Sequence, residues 1–113
     1  MKYQHQNLSN GRWFKLSLFE QLANIGSEVE RAILWKEKNR EYSQQAFYRS
    51  LELLSLTIDD QKNRGRLKEL TRLYEVLVDY FAGDNQYQSS DKLWRNYFYP
   101  FNYAARLEDN LST

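Results

Sequence analysis

Residues 66–82, RLKELTRLYEVLVDYFA, restrict this chain more than any other stretch, because their apolar residues fit a helical period and no other. Leu67, Leu70, Tyr74, Leu77 and Phe81 recur at spacings of three and four, which places them on one face of an α-helix. Leu73, Val76 and Tyr80 add an adjoining stripe. An apolar arc that wide needs more than one neighbouring element to cover it. Gly83 stops the pattern where a left-handed C-cap is expected, and Asp84-Asn85 continues the turn.

The rest of the chain supplies the neighbours. Residues 1–12 are polar and aperiodic, and read as an N-terminal arm. Ser17 followed by Glu20 has capping-box spacing, with Leu16 and Gln21 flanking where a hydrophobic staple sits. A first helix follows to about Lys38, burying Leu18, Leu22, Ile25, Val29, Ala32 and Ile33. Gly26 lies inside it and fits either the close approach of a partner helix or no role at all. Asn39-Arg40 breaks the pattern. A second helix covers about 41–60, with Ala46, Phe47, Leu51, Leu54 and Ile58 inward and Leu53 and Leu56 widening the stripe. Asp59-Asp60 opposes the negative end of its macrodipole, so its end is expected to fray.

Gln61 to Gly65 is a short connection, which favours antiparallel neighbours. Residues 83–90, GDNQYQSS, form the longest polar break, and Ser89 or Ser90 caps the next helix. That helix starts at Asp91 and turns Trp94, Tyr97, Phe98 and Phe101 inward. Pro100 should kink it, or break it and open a short final helix to about Leu107. Residues 108–113 are expected to fray. The reading is one all-α domain over residues 13–107, an up-down four-helix bundle whose fourth helix is kinked or broken at Pro100. Four glycines and one proline leave little for the turns of a β-sandwich.

Several chemistries lack their parts. There is no cysteine, hence no disulfide and no thiolate metal site, which fits a reducing cytoplasm. The lone histidine, His5, lies in the arm, so a bundle di-iron site has no imidazoles, and no metal or other cofactor is expected. Nucleophile elbows and phosphate-cradling glycine loops are also missing, and the chain reads as a non-enzyme. The acids Glu28, Glu30, Glu52, Glu69, Glu75 and Asp79 suit solvated helix faces, as does Asn24. No apolar run reaches the length of a signal-peptide core or of a membrane span of roughly 20 residues.

Two features point outward. Lys62, Arg64, Arg66 and Lys68 place four cations within seven residues beside a helix N-terminus, a pattern able to hold the phosphates of RNA or DNA or simply to solvate a turn. A net charge of +1 argues against a chain devoted wholly to nucleic acid. Lys2, Arg12 and Lys15 nevertheless have no acidic neighbour through residue 19. The segment 94–103 holds more aromatic rings than one interior can bury, and Tyr97, Tyr99 and Tyr103 are the candidates for a protein interface. The surplus favours a homo-oligomer.

The length, the four-helix layout over residues 13–107 and the basic turn Lys62–Lys68 resemble the S23-type bundles, which include the accessory variability proteins of diversity-generating retroelements. That resemblance implies a ring-like homo-oligomer binding RNA and a reverse transcriptase partner. The layout is also similar to the HEPN class of small helical bundles. Their nuclease motif, an arginine followed four to six residues later by a histidine, is missing because His5 precedes every arginine. The second resemblance therefore implies a non-catalytic partner in a toxin or nucleotidyltransferase system.

Overall fold

The computed structural model describes residues 11–111, with side chains described through residue 108. Most of the expected arm lies outside the described residues. The described residues are all-helical, with four α-helices among them: α1 (Leu18–Trp35), α2 (Arg40–Asp59), α3 (Leu67–Ala82) and α4 (Asp91–Leu111). Short 3-10 turns at Trp13–Lys15 and Gln61–Arg66 precede α1 and α3. α1 is central, packing against both α2 and α4, while α3 lies on α2.

The helix starts follow local hydrogen bonding. Glu20 N donates to Ser17 Oγ at 3.1 Å and Ser17 N donates to Glu20 Oε1 at 3.0 Å, so both halves of the capping box are made. The staple is absent, because Gln21 is fully buried and spends its amide on polar partners. Asn39 caps α2 through its Oδ1, which accepts from Tyr42 N. Its own N–H bonds to the Trp35 carbonyl at 2.8 Å, so α1 ends at Trp35 rather than near Lys38. Ser90 Oγ accepts from Leu93 N and starts α4.

Three expectations about helix ends are corrected. α2 does not fray at its acidic end: Asp60 is buried, and its carboxylate caps the following 3-10 turn by accepting from Lys62 N. Gly83 is not left-handed but extended, at φ −113° and ψ −154°. A side chain there would meet the Asp79 backbone at 3.1 Å, so the glycine serves close approach. Asn85 takes the left-handed position instead, at φ 54°. α4, finally, runs as one helix through Pro100 to Leu111, past the break considered there and past Leu107.

The core joins Leu22, Ile25, Val29 and Ala32 of α1 to Phe47, Leu53 and Leu54 of α2, Leu70, Leu73 and Leu77 of α3, and Trp94 and Phe98 of α4. Trp13 is buried with them. Rings stitch the helices together, Phe47 to Phe81 at 5.2 Å and Phe19 to Phe101 at 6.1 Å between centroids. Leu67 is the exception on α3, at 42% exposed.

Gly26 marks the crossing of α1 and α4. A Cβ built on it would lie 2.8 Å from Phe98 Cβ and Cγ, atoms near the α4 backbone that cannot swing aside. Gly26→Ala should therefore lower stability by about 1 kcal/mol net, since overpacking of about 1–3 kcal/mol exceeds the gain of about 1 kcal/mol in helix propensity. Gly65→Ala, where nothing lies within 4 Å, is the control and should be neutral or better. Equal denaturation midpoints for the two variants would show that α4 yields at no cost.

Candidate functional site

The basic turn is built on a buried polar knot at one end of the bundle. Gln21 Nε2 donates to Asp60 Oδ2 at 2.9 Å and to the Trp13 carbonyl at 3.2 Å. Asn63 Nδ2 donates to Gln21 Oε1 at 2.9 Å and to the Thr57 carbonyl at 3.0 Å. Trp13 Nε1 donates to Thr57 Oγ1 at 3.0 Å, and Thr57 Oγ1 in turn donates to the Leu53 carbonyl. Each polar group removed from water is thus compensated, as burial requires.

This knot divides the four cations singled out in the sequence. Lys62 Nζ bonds the Asp60 carboxylate and donates to the Phe14 carbonyl at 3.0 Å, so its charge is spent on joining the two 3-10 turns. Arg66 forms a forked pair with Glu69, at 2.9–3.1 Å. Arg64 and Lys68 are exposed and have no ion-pair partner among the described residues. Gly65, Arg66, Lys68, Glu69 and Arg72 line a concavity of about 480 Å³ beside the turn.

The three tyrosines also separate. Tyr99 and Tyr103 are open, at 70% and 59% exposed. Tyr97 is not: it packs edge-on against Phe98 at 5.0 Å and Phe101 at 5.4 Å, and its hydroxyl donates to Glu69 at 3.3 Å. Burial, and then the nearby Glu69 charge, pushes the Tyr97 hydroxyl up to about 12. Leu107, 45% exposed, continues the four-residue spacing of Tyr99 and Tyr103 along α4. Grooves flank this helix on both sides, about 410 Å³ against α1 and about 380 Å³ against α3. Trp94 borders both, and its indole N–H is buried without an acceptor among the described residues.

The remaining polar clusters hold helices together. Lys36 Nζ donates to Asp91 Oδ1 at 2.8 Å and to the Tyr80 hydroxyl at 3.2 Å, and that hydroxyl donates to Asp91, so α3 and α4 meet next to the end of α1. Glu28 is buried between Arg31 and Arg49, not solvated as its sequence position suggests. Asp79 accepts from the N–H groups of Gln86 and Tyr87 and shapes the polar loop. No group of three or more metal-ligating side chains occurs among the described residues. No helix among them is long and apolar enough to cross a membrane.

These clusters fix the pH response. Burial works against the charge of Asp60, but its bonds from Lys62 and Gln21 prevail and hold the carboxyl below 3.8. Asp91 is lowered in the same way by Lys36 and Tyr80. Lys36, against burial, is raised above 10.5 by Asp91 and Tyr80, and Tyr80 is raised above 10.0 by burial and then by Asp91. Lowered acids stabilise the fold above their unfolded values, and that stability is lost as pH falls through the folded ones. Raised groups stabilise below their unfolded values and lose this as pH rises through the folded ones. Urea midpoints should thus fall below the ordinary carboxyl value of 3.8 and again above 10.0, with these groups adding no slope between. A slope near neutrality traced to Asp60→Asn or Asp91→Asn would contradict the assignment.

Pattern reading missed Gln21, Thr57, Asp60 and Asn63, because nothing in a helical period marks a polar residue as buried. One signal was present: Gln21 stands one position before Leu22, on the edge of the inward face of α1. The chain matches no family model, no curated protein and no solved structure.

Proposed function

We infer that this chain is a non-enzymatic accessory or adaptor protein of the cytoplasm, built as an up-and-down bundle, which self-associates through the outer face of α4. The observation that carries this reading is the stripe Tyr99, Tyr103 and Leu107, three large side chains exposed at successive turns of one helix. Exposed rings on a rigid helix lose little entropy on docking, and the same patch on a second copy is its natural complement. The up-and-down order draws support from contacts that reverse along the chain: Glu28 meets Arg49 and Ala32 meets Ser43, while Ser17 meets Glu108 and Lys36 meets Asp91. A bend at Pro100 belongs to the same reading, since proline leaves the Asn96 carbonyl without its helical donor.

Size exclusion with light scattering tests it. The expected mass lies well above 13.7 kDa, and Tyr99→Lys with Tyr103→Lys should return it to 13.7 kDa with the melting temperature kept. A wild-type monomer at tens of micromolar, on the order of the concentrations that populate micromolar complexes, sinks the reading.

A second reading, binding of RNA or DNA, is favoured by Arg64 and Lys68, which stand without partners beside the concavity at the start of α3. In this reading the protein partner is a reverse transcriptase, as the resemblance in layout implies, with the HEPN-like role in a nucleotidyltransferase system as the alternative. Pull-down with each candidate polymerase or transferase separates them.

A further inference from the structure

Two basic segments far apart in the chain meet at one end of the bundle. Arg12 and Lys15 belong to the first 3-10 turn and its flank, and Arg64 and Lys68 to the second turn and the start of α3. The turns are pinned together by Lys62 Nζ on the Phe14 carbonyl at 3.0 Å, and through the knot by Trp13 Nε1 on Thr57 Oγ1 at 3.0 Å. All four of these other cations are exposed, and none has an ion-pair partner among the described residues.

The acids nearby are largely occupied. Asp60 is held by Lys62 and Gln21, Glu69 by Arg66 and Tyr97, Glu20 by the Ser17 N–H, and Glu108, which reaches this end from α4, by the Ser17 hydroxyl. Only Asp59, exposed, stands against the four cations without a partner among the described residues. Between Arg12 and Lys15 in the chain lies Phe14, a residue 37% exposed.

We propose that this end of the bundle is a composite surface for single-stranded nucleic acid, with Arg12, Lys15, Arg64 and Lys68 on phosphates and the Phe14 ring stacked on a base. The surface rests on the nucleic-acid reading above and changes its address. Contact passes from the turn 62–68 alone to two pinned turns, and Lys62 becomes the clamp between them rather than a phosphate ligand. Single strands offer both charges and free base faces, which suits unpaired cations at the same end of the bundle as a partly exposed ring. A bare polyanion uses the cations but has nothing to place on Phe14.

Fluorescence anisotropy with short labelled oligo(U) RNA and oligo(dT) DNA, from about 50 to 200 mM salt, tests the surface. Arg12→Gln with Lys15→Gln, and separately Arg64→Gln with Lys68→Gln, should each weaken binding about tenfold at low salt. Each pair should flatten the salt slope by roughly 1.4, two single-strand phosphate contacts at about 0.7 apiece. Phe14→Leu should weaken binding about tenfold without changing the slope. Melting temperatures of these variants stay at the wild-type value, whereas Lys62→Gln lowers it. Tighter binding of one oligonucleotide assigns RNA or DNA as the natural strand.

If only the Arg64 and Lys68 pair matters, the composite surface is wrong and the nucleic-acid reading survives. If Arg12→Gln with Lys15→Gln lowers the melting temperature, those residues are structural and the surface is wrong again. If inorganic polyphosphate competes as well as oligo(U) and Phe14→Leu is silent, the end binds bare polyanions. If the wild-type protein binds neither oligonucleotide at about 50 mM salt, both the surface and the nucleic-acid reading fail.

Discussion

Gln21→Leu should destabilise the protein by about 2–4 kcal/mol, although it exchanges a polar side chain for an apolar one of similar size at a position with no solvent exposure. On the helical wheel the substitution is an improvement, since it supplies the staple partner that Leu16 and the capping box at Ser17 and Glu20 lack. The knot reverses that expectation. Gln21 is the bridge through which Trp13, Asp60 and Asn63 reach one another, and leucine offers none of them a bond. The loss is limited because each keeps a second partner: Leu16 N on the Trp13 carbonyl, Lys62 on Asp60, and the Thr57 carbonyl on Asn63. Urea denaturation measures it. A leucine variant as stable as wild type would mean that water enters the knot and serves its groups as well as the amide does.

The knot also explains what was legible in the sequence. Helices α1 to α4, the capping box, the Asn39 break and the Asp91 start all follow from period and cap chemistry, which act within a few residues. Buried polar pairing acts across separations of 39 to 44 residues, between Gln21 and Asp60 or Trp13 and Thr57. No local rule reports it. Asp60 shows the difference well: next to a helix C-terminus it reads as a misplaced charge, yet its cap of the next turn and its contacts with Gln21 and Lys62 make that position favourable.

The outward-facing residues divide by the same logic. Composition indicated that α4 carries more rings than a small interior takes, and Tyr99 and Tyr103 are indeed exposed. It could not indicate which ring would be retained, because Tyr97 owes its burial to Phe101 on its own helix and Glu69 on α3. Four cations in one turn looked equivalent as charge. Their partners set Lys62 and Arg66, each ion-paired to a neighbouring acid, apart from Arg64 and Lys68, which have no ion-pair partner among the described residues.

Leu77→Ala should cost about 2–5 kcal/mol, the range for emptying a leucine-sized volume in a core that closes only partly around it. Leu77 has no exposure and sits among the residues shared by all four helices, so neither solvent nor a mobile loop can refill the space. Leu67, on the same sequence stripe, tests whether burial or helical period controls the cost. It stands at the first residue of α3 and is 42% exposed, so Leu67→Ala removes contacts that water already half replaces, and should cost less than about 1 kcal/mol. Alanine suits a helix better than leucine does, which narrows that loss further. Chemical denaturation of the two variants side by side decides the matter. Similar losses would mean that Leu67 is covered in solution by something outside these four helices, and a second copy of the chain is the first candidate to examine.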